Sequence, residues 1–333
     1  MRWAIVTDDY PPLDGGVATF AQQVARGLHD AGHEVVVFAR QRPGLGGECF
    51  PVIGVRGPSF GRHGAWWMAL ATLGKLRRAD RVLATTWPIA SHLRHPNIDL
   101  VFHGSDLTAP PASRRSFDRA CRRARRRLVM SRYLAGLLGQ RGFTAEILPA
   151  PIDVVDNPRI HVGPPERWAY VARATALKGG DRFVRCVAEA RVAGTLIGDG
   201  PELACWQRLA REIDADVTFT GRISREQVAV VLAEHDLCLL LPRVGDSSGT
   251  EGFGLALLEG AAQGVPVVGC RTGGVPEAVG PGLILENPDD AIGSVAAIRQ
   301  WWNPQRGAEA LGWVAQNHGV WRTTLALVSP SSS

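Results

Sequence analysis

The sequence predicts an α/β protein of two domains, and three observations carry this. With 333 residues and 45% hydrophobic content, the chain is long enough for two globular domains of about 150 residues each. Short apolar runs of strand length alternate along it with segments whose apolar residues recur at helical spacing. Between Glu146–Leu148 and Trp168 lies PAPIDVVDNPRIHVGPPE, proline-rich and aperiodic. It reads as a linker, so the boundary is expected near residue 155, with domains at 1–155 and 156–308 and a helix over 309–328.

In the first domain, Trp3–Thr7 reads as a strand. Gly15-Gly16 then opens a helix with Val17, Phe20, Val24 and Leu28 on one face, Gly32 ends it, and Glu34–Phe38 is the next strand. This is a βαβ opening. It lacks G-x-G-x-x-G, which argues against a dinucleotide site. Residues 41–62, rich in Gly and Pro, read as loop. Gly64–Arg78 reads as a helix with Trp66, Trp67 and Met68 near its start, expected in the core; a membrane-skimming or acceptor-binding face is the alternative. Val82–Thr86 and Asp99–Phe102 are strands. His103-Gly104-Ser105-Asp106 follows the second, at the edge where open α/β sheets bind ligands. A basic run, Arg122, Arg123, Arg125, Arg126 and Arg127, reads as a solvated helix face, with attraction to an anionic membrane as the alternative. No nucleic-acid module or aromatic stacking pattern accompanies it. Leu128–Ser131 reads as a strand and Tyr133–Leu138 as a helix.

The second domain restarts with a strand at Trp168–Val171. Arg173 and Lys178 follow, five positions apart, and Gly179-Gly180 opens a helix. Two cations before a helix start suit a diphosphate, Arg as a bidentate donor and Lys as a point charge. Lysine is otherwise scarce, for among 37 basic residues only Lys75 and Lys178 are Lys. Strand Gly194–Ile197 ends in Gly198-Asp199-Gly200-Pro201, and Val217–Phe219 in Thr220-Gly221-Arg222-Ile223. Asp214-Ala215-Asp216 is a D-x-D between helix and strand, away from these loops, and reads as chance; no metal site is expected.

The apolar run Leu237–Leu241 leads into a polar loop with Asp246, Ser247, Ser248 and Thr250, then Glu251-Gly252-Phe253-Gly254-Leu255 and a helix ended by Gly264. VPVVGC is a buried strand, and Thr272-Gly273-Gly274-Val275-Pro276-Glu277 a turn. Glu251 stands before the helix and Glu259 within it; eight fully helical steps would span about 12 Å. Unpaired N–H groups and a partial positive charge at the helix start suit a diphosphate between them. Beyond Glu277 a strand, a turn and a helix are expected, then the tail helix, with Ser329–Ser333 disordered.

The formal charge of +5 rests on 35 Arg, a composition that reflects codon bias. Six Cys without C-x-x-C spacing read as reduced thiols of a cytoplasmic protein, not as disulfides or a zinc site. No apolar run reaches the roughly 18–20 residues of a membrane span, and MRWAIVTDDYPP reads as a first strand, not a leader.

Taken together, Glu251-Gly252-Phe253-Gly254-Leu255, Glu259, Gly264-Val265-Pro266-Val267-Val268 and Gly273-Gly274-Val275-Pro276-Glu277 resemble the signature of glycosyltransferase family 4, retaining enzymes of the GT-B fold. Arg173 to Gly179, Gly198 to Pro201 and the Gly15-Gly16 loop resemble further family elements. Two departures are visible: Gly260 stands where Ala is usual after the second Glu, and Ala172 where Gly is usual before Arg173.

The resemblance implies two Rossmann-like domains facing a cleft, with the tail helix returning to the first. It implies transfer of a sugar from a nucleotide diphosphate sugar to an acceptor hydroxyl, with retention, without metal or cofactor. Arg173 and Lys178 would stabilise the leaving diphosphate, Glu251 would hold sugar hydroxyls, and His103 would lie near the attacked carbon. Donor contacts would come from Gly15, Gly16, Gly198, Gly200, Gly221, Arg222, Gly252, Phe253, Gly254, Leu255 and, at the ribose, Glu259. Asp106 would touch the acceptor. The short first domain fits a small acceptor such as a secondary metabolite. A lipid-linked or cell-envelope glycan is the competitor, with membrane contact through Arg122–Arg127. Epimerisation or hydrolysis of a nucleotide sugar, and a non-catalytic nucleotide-sugar-binding module, are the other readings.

Overall fold

Runs such as Ala4-Ile5-Val6 and Val82-Leu83-Ala84 are buried on both faces, as strands of a parallel sheet between helical layers must be. The computed structural model describes residues 1–13, 15–57, 62–245 and 249–329. Asp246, Ser247, Ser248 and all but the first residue of the 329–333 tail therefore lie outside the described residues. The chain separates into two units, Met1–Pro151 with Val320–Ser333, and Ile152–Gly319.

The first unit holds seven parallel strands: β1 (Arg2–Val6), β2 (Glu34–Arg40), β3 (Val52–Val55), β4 (Arg81–Ala84), β5 (Ile98–Phe102), β6 (Arg126–Val129) and β7 (Glu146–Ile147), in the order β3-β2-β1-β4-β5-β6-β7. The winding reverses between β1 and β4, where a Thr85 hydroxyl donates to that of Thr7 (2.8 Å). Its helices are α1 (Gly16–Asp30), α2 (Arg62–Leu76), α3 (Trp87–Ala90), α4 (Gly104–Thr108), α5 (Arg114–Arg123) and α6 (Arg132–Gly139).

The second unit has a six-stranded parallel sheet: β8 (Arg167–Val171), β9 (Ala193–Ile197), β10 (Val217–Gly221), β11 (Leu237–Leu239), β12 (Val267–Cys270) and β13 (Leu283–Leu285), ordered β10-β9-β8-β11-β12-β13. Its helices are α7 (Gly180–Ala190), α8 (Leu203–Glu212), α9 (Arg225–Ala233), α10 (Leu255–Ala262), α11 (Val275–Val279), α12 (Ala291–Trp301) and α13 (Arg306–His318), and the reversal falls between β8 and β11. Both sheets are doubly wound and Rossmann-like.

Four expectations need correction. The 41–62 segment contains strand β3, an edge strand whose four residues are too few to show a period among the surrounding Gly and Pro. The tail helix expected over 309–328 is two helices, α13 and α14 (Val320–Val328), separated by Gly319 in an extended conformation. Helix α14 packs on α1, where a Cβ on Gly27 would collide with Thr324 and Val320.

Of the three α2 residues expected in the core only Met68 is buried, while Trp66 and Trp67 are 50% and 40% exposed. Lastly, the basic run is not one helix face. It crosses the end of α5, a loop and β6, with Arg122, Arg123 and Arg125 exposed, Arg127 half-buried and Arg126 turned inward. Arg126 is buried, pairs with Glu146 (2.8 Å) and donates to the carbonyls of Ala326 (3.0 Å) and Leu327 (3.2 Å), capping α14. Arg127 donates to the Thr144, Cys121 and Ala124 carbonyls, Arg123 to those of Ser91 and Leu93, and Arg125 and Arg122 pair with Asp99 and Asp118.

The proline-rich linker has no regular element beyond a bridge between Ile152 and Gly319. It lies on the second unit: Val155 donates to Ala262 O (3.3 Å), Pro158 and Ile160 cover Gly264, and His161 meets the buried Asp236.

Candidate active site

In the second unit the loops after β8, β9, β10 and β11 meet at the carboxyl edge of the sheet, and backbone contact sets their spacing. Ala172 and Ala174 donate to the carbonyls of Ile197 (3.1 Å) and Asp199 (2.9 Å), and Gly198 donates to Gly221 O (2.9 Å). Gly198 (φ 134°) and Gly200 (φ 156°) lie against the carbonyls of Ala172 and Ala174, where a Cβ would collide. The glycines are therefore needed for the Arg173 loop to rest on the next turn. Arg173 is exposed there, and no carboxylate among the described residues pairs with it. Gly221 is left-handed (φ 66°) with open space before it, and Arg222 beside it is exposed.

Lys178 ends a short 3-10 turn, Ala176–Lys178, and Gly179 reverses the chain in the left-handed region (φ 71°) to start α7. The lysine ammonium is hydrogen-bonded to the Glu251 carboxylate; both side chains are mostly shielded, 27% and 13% exposed. Two supports lie behind this pair. The buried Tyr170 hydroxyl donates to the carbonyl of Lys178 (2.7 Å), and burial, with the Glu251 carboxylate near, holds that phenol well above its usual range. On the other side, Gly274 N–H donates to Glu251 O (3.0 Å), and Gly273 (φ 55°) leaves no room for a Cβ above that carbonyl.

Residues 251–254 are not helical. Gly254 (φ 109°) turns the chain into α10, so Glu251 stands before the helix and Glu259 within it, and the distance of eight fully helical steps does not apply. Gly252 and Phe253 are buried, the Phe253 ring lies 5.5 Å from that of His318, and Leu255 is the first residue of the helix. Glu259 projects from the second turn of α10, half-buried; burial pushes its carboxyl up, and Arg225 works against that. The helix ends as a Schellman motif, with Gly264 donating to Ala261 O (3.0 Å) and Val265 to Gly260 O (3.1 Å). Gly260 has a local reason, since a Cβ there would stand 3.0 Å from the Cβ of Cys238 on β11.

Three residues of this edge escaped the sequence reading. Arg243 makes a bidentate pair with Asp181 (2.7 and 2.6 Å), and buried Arg182 donates to the carbonyls of Leu241 (3.2 Å) and Pro242 (2.7 Å). They hold the chain after β11 against the start of α7. Tyr170 is the third. The available signal was Arg182 lying next to the apolar pair Phe183-Val184 at the start of a helix.

In the first unit His103 caps α4 at the end of β5. It is 7% exposed, its ring meets Phe20 edge-on (5.1 Å between centroids), and Phe20 lies one turn into α1 from Gly15 and Gly16. Both glycines are exposed at that helix start. The Thr85 carbonyl accepts from the imidazole, while Nε2 is buried with no partner among the described residues. That leaves Nε2 as a bare acceptor. Burial pushes the imidazole down to about 4, opposed by the Thr85 bond.

Asp106 accepts from the backbone N–H of His103 (3.0 Å). Its carboxylate has a capping role, and burial pushes it up to about 7, against that bond and Arg141. The D-x-D residue Asp214 occupies a left-handed turn (φ 53°) between α8 and β10, and no cluster of potential metal ligands occurs among the described residues.

Two family models match this chain: "Glycosyltransferase Family 4" over residues 14–157 and "Glycosyl transferases group 1" over 165–303. One relative, the GDP-mannose-dependent alpha-(1-6)-phosphatidylinositol monomannoside mannosyltransferase of Mycolicibacterium smegmatis, is 27% identical over 369 residues, covering 96% of this chain and 95% of its own. N-acetyl-alpha-D-glucosaminyl L-malate synthase of Bacillus anthracis is 40% identical over 99 residues, 29% of this chain and 24% of its own. Among solved structures, Anabaena HepE in complex with UDP and glucose superposes with a TM-score of 0.76 at 18% identity, covering 98% of both chains. The two sheets, the matched models and these relatives lead to one assignment: the chain belongs to glycosyltransferase family 4 and is a glycosyltransferase of the GT-B fold.

Proposed function

We propose that the protein transfers a hexose from a nucleotide diphosphate sugar to an acceptor hydroxyl, with retention and without a metal. The observation that carries this reading is the Lys178–Glu251 pair beside exposed Arg173, at the edge where the second sheet reverses. Bond breaking at the anomeric carbon leaves charge on the diphosphate, and Lys178, held by Glu251, together with exposed Arg173 would meet it near the start of α7. They supply the neutralisation that a metal would otherwise give. Glu251, held by Lys178 and Gly274, would accept hydrogen bonds from sugar hydroxyls, and Glu259 from the ribose. The bond from the anomeric carbon to the diphosphate oxygen breaks, the bond to the acceptor oxygen forms, and the acceptor proton passes to the leaving phosphate. His103 Nε2, a neutral acceptor, would take a hydroxyl of the donor sugar. Gly198, Gly200, Gly221 and Arg222 would approach the nucleoside and diphosphate through backbone.

For the acceptor, the short first unit supports a small free molecule. The names of some relatives support a second reading, in which the hydroxyl belongs to a lipid: two that are matched over 95% and 94% of their own length are phosphatidylinositol monomannoside mannosyltransferases. The test is release of nucleoside diphosphate from UDP-, GDP-, ADP- and dTDP-sugars, with L-malate, D-inositol 3-phosphate or phosphatidylinositol as acceptor, and Glu259→Ala as control. Turnover with one donor, lost in the control, with an axial or equatorial product linkage matching the donor, supports the reading. Donor hydrolysis alone with every acceptor, or an inverted linkage, counts against it.

A further inference from the structure

Arg225 stands where its own helix gives no reason for a cation. It is the first residue of α9, whose start is fixed by a capping box: Ser224 Oγ accepts from Gln227 N–H (3.3 Å) and Gln227 Oε1 from Ser224 N–H (2.9 Å). The partial positive charge at a helix start favours acids and opposes an arginine. Two carboxylates compensate it. Asp153, from the linker, lies 3.7 Å from the guanidinium. The other is Glu259: α9 packs on α10, and the Arg225 charge acts against the burial that pushes the Glu259 carboxyl up. The same linker is tied to the end of α10 by the Val155 bond to Ala262 O. No group among the described residues hydrogen-bonds the Glu259 carboxylate, so its acceptor sites are left for a ligand.

We infer that Arg225 is a positioning residue which, braced by Asp153, sets the Glu259 carboxylate to take the ribose hydroxyls of the donor. The inference rests on the reading of Glu259 as the ribose contact. A carboxylate accepts at both oxygens only in its charged form, and burial works against that form. Arg225 compensates it without a hydrogen bond to Glu259, which keeps both oxygens open. The route also brings the linker to bear on the donor site, through Asp153. The consequence is a preference for ribonucleotides, because a 2′-deoxy ligand leaves one of those acceptor sites unfilled.

The experiment is calorimetric titration of the full chain with UDP, GDP and ADP, each beside its 2′-deoxy form. The diphosphate that binds should favour ribose by about ten-fold or more in the parent. In Arg225→Gln that ratio should fall toward unity, as in Glu259→Gln, whereas Arg225→Lys keeps the charge and most of the ratio. Asp153→Asn should lower it by about two- to five-fold, since the exposed pair is the weaker half of the arrangement. Arg225→Gln takes a cation away from a helix start, so the fold should hold. Arg211→Gln, an exposed arginine of α8, should leave the ratio unchanged and so controls for net charge. In sugar transfer, Arg225→Gln should raise the donor KM with little change in kcat. A ratio lost in Glu259→Gln but kept in Arg225→Gln overturns the inference alone. So does equal weakening of both forms in Arg225→Gln, which would make Arg225 a direct contact of the diphosphate. A parent without ribose preference, or one whose preference survives Glu259→Gln, overturns the ribose reading of Glu259 and the inference with it. Failure of all three diphosphates to bind overturns both together with the transfer reading.

Discussion

Lys178 and Glu251, 73 positions apart in the chain, are hydrogen-bonded where the second sheet reverses its winding. The pair ties the loop after β8 to the loop before α10, so each side chain fixes the other before substrate arrives. Removing the cation should cost transition-state stabilisation more than fold. Lys178→Ala should lower kcat by about two to three orders of magnitude, while leaving the mostly shielded Glu251 carboxylate unpaired should cost about 1–3 kcal/mol of stability. Steady-state kinetics and a urea titration on the same sample check this. A large loss of stability with modest loss of kcat would reverse the assignment.

His103 and Asp106 face each other across one helix cap and pull stability in opposite directions with pH. The folded imidazole titrates near 4, below its ordinary 6.5. Its contribution is therefore complete above 6.5 and is lost as pH falls toward 4. The Asp106 carboxyl is raised from 3.8 to about 7, so its contribution is complete below 3.8 and is lost as pH rises through 7. His318, also near 4, adds to the rise. Urea midpoints should therefore climb from pH 4 to 6.5 with a slope blunted by Asp106. Asp106→Asn, which keeps the acceptor for the His103 N–H, should steepen that climb and remove the decline toward 7. An unchanged profile would show that Asp106 is ionised in the fold at low pH.

The sheets and the donor-side loops were legible in the sequence because parallel strands buried on both faces write themselves as apolar runs, and glycines mark the turns between. Gly198, Gly200 and Gly273 are each required where one backbone passes close over another. What was not legible has a physical cause in each case. Strand β3 is too short to show a period. The break between α13 and α14 falls in a segment with helical propensity on both sides of Gly319. Arg126 reads as one more member of a solvated patch, as exposed Arg122, Arg123 and Arg125 are, because sequence does not show that carbonyls of α14, some two hundred positions away, wait for it. The support given to Lys178 by Tyr170, and to the Glu251 loop by Arg182 and Arg243, arises from long-range contact and leaves no local pattern.

Two glycine substitutions should differ in sign. Gly136 in α6 has nothing within 4 Å of a built Cβ, so Gly136→Ala should add about 0.5–1 kcal/mol. Gly260 in α10 faces the Cys238 Cβ at 3.0 Å and its Sγ at 3.3 Å. Gly260→Ala should gain the same propensity but lose more to overpacking, for a net cost of about 1 kcal/mol. Thermal melts of the two variants decide it. A stabilised Gly260→Ala would mean that the departure from the usual Ala has no packing basis.

The last prediction separates structural arginines from surface ones within a single run. Arg126 is 5% exposed, carries Glu146 on one edge and closes the C-terminal carbonyls of α14 with the other. Arg81, over the Trp3 ring and hydrogen-bonded to Asp99, reaches the same Leu327 carbonyl at 3.4 Å. Taking out Arg126 leaves the Glu146 carboxylate and the Ala326 carbonyl without this donor and Leu327 with only the longer bond from Arg81, so Arg126→Ala should destabilise by about 2–4 kcal/mol. Its neighbour in sequence, Arg122, is 70% exposed at the side chain and, among the described residues, pairs with Asp118 at 3.5 Å; Arg122→Ala should fall within about 0.5 kcal/mol of the parent. Limited proteolysis should also report the difference, because α14 is held to the sheet at that end by Arg126 and along its length by the close approach to Gly27. Early cleavage within 320–329 in Arg126→Ala, absent from Arg122→Ala, is the expected pattern. Equal protection in both would place the anchoring of α14 in its packing on α1 alone.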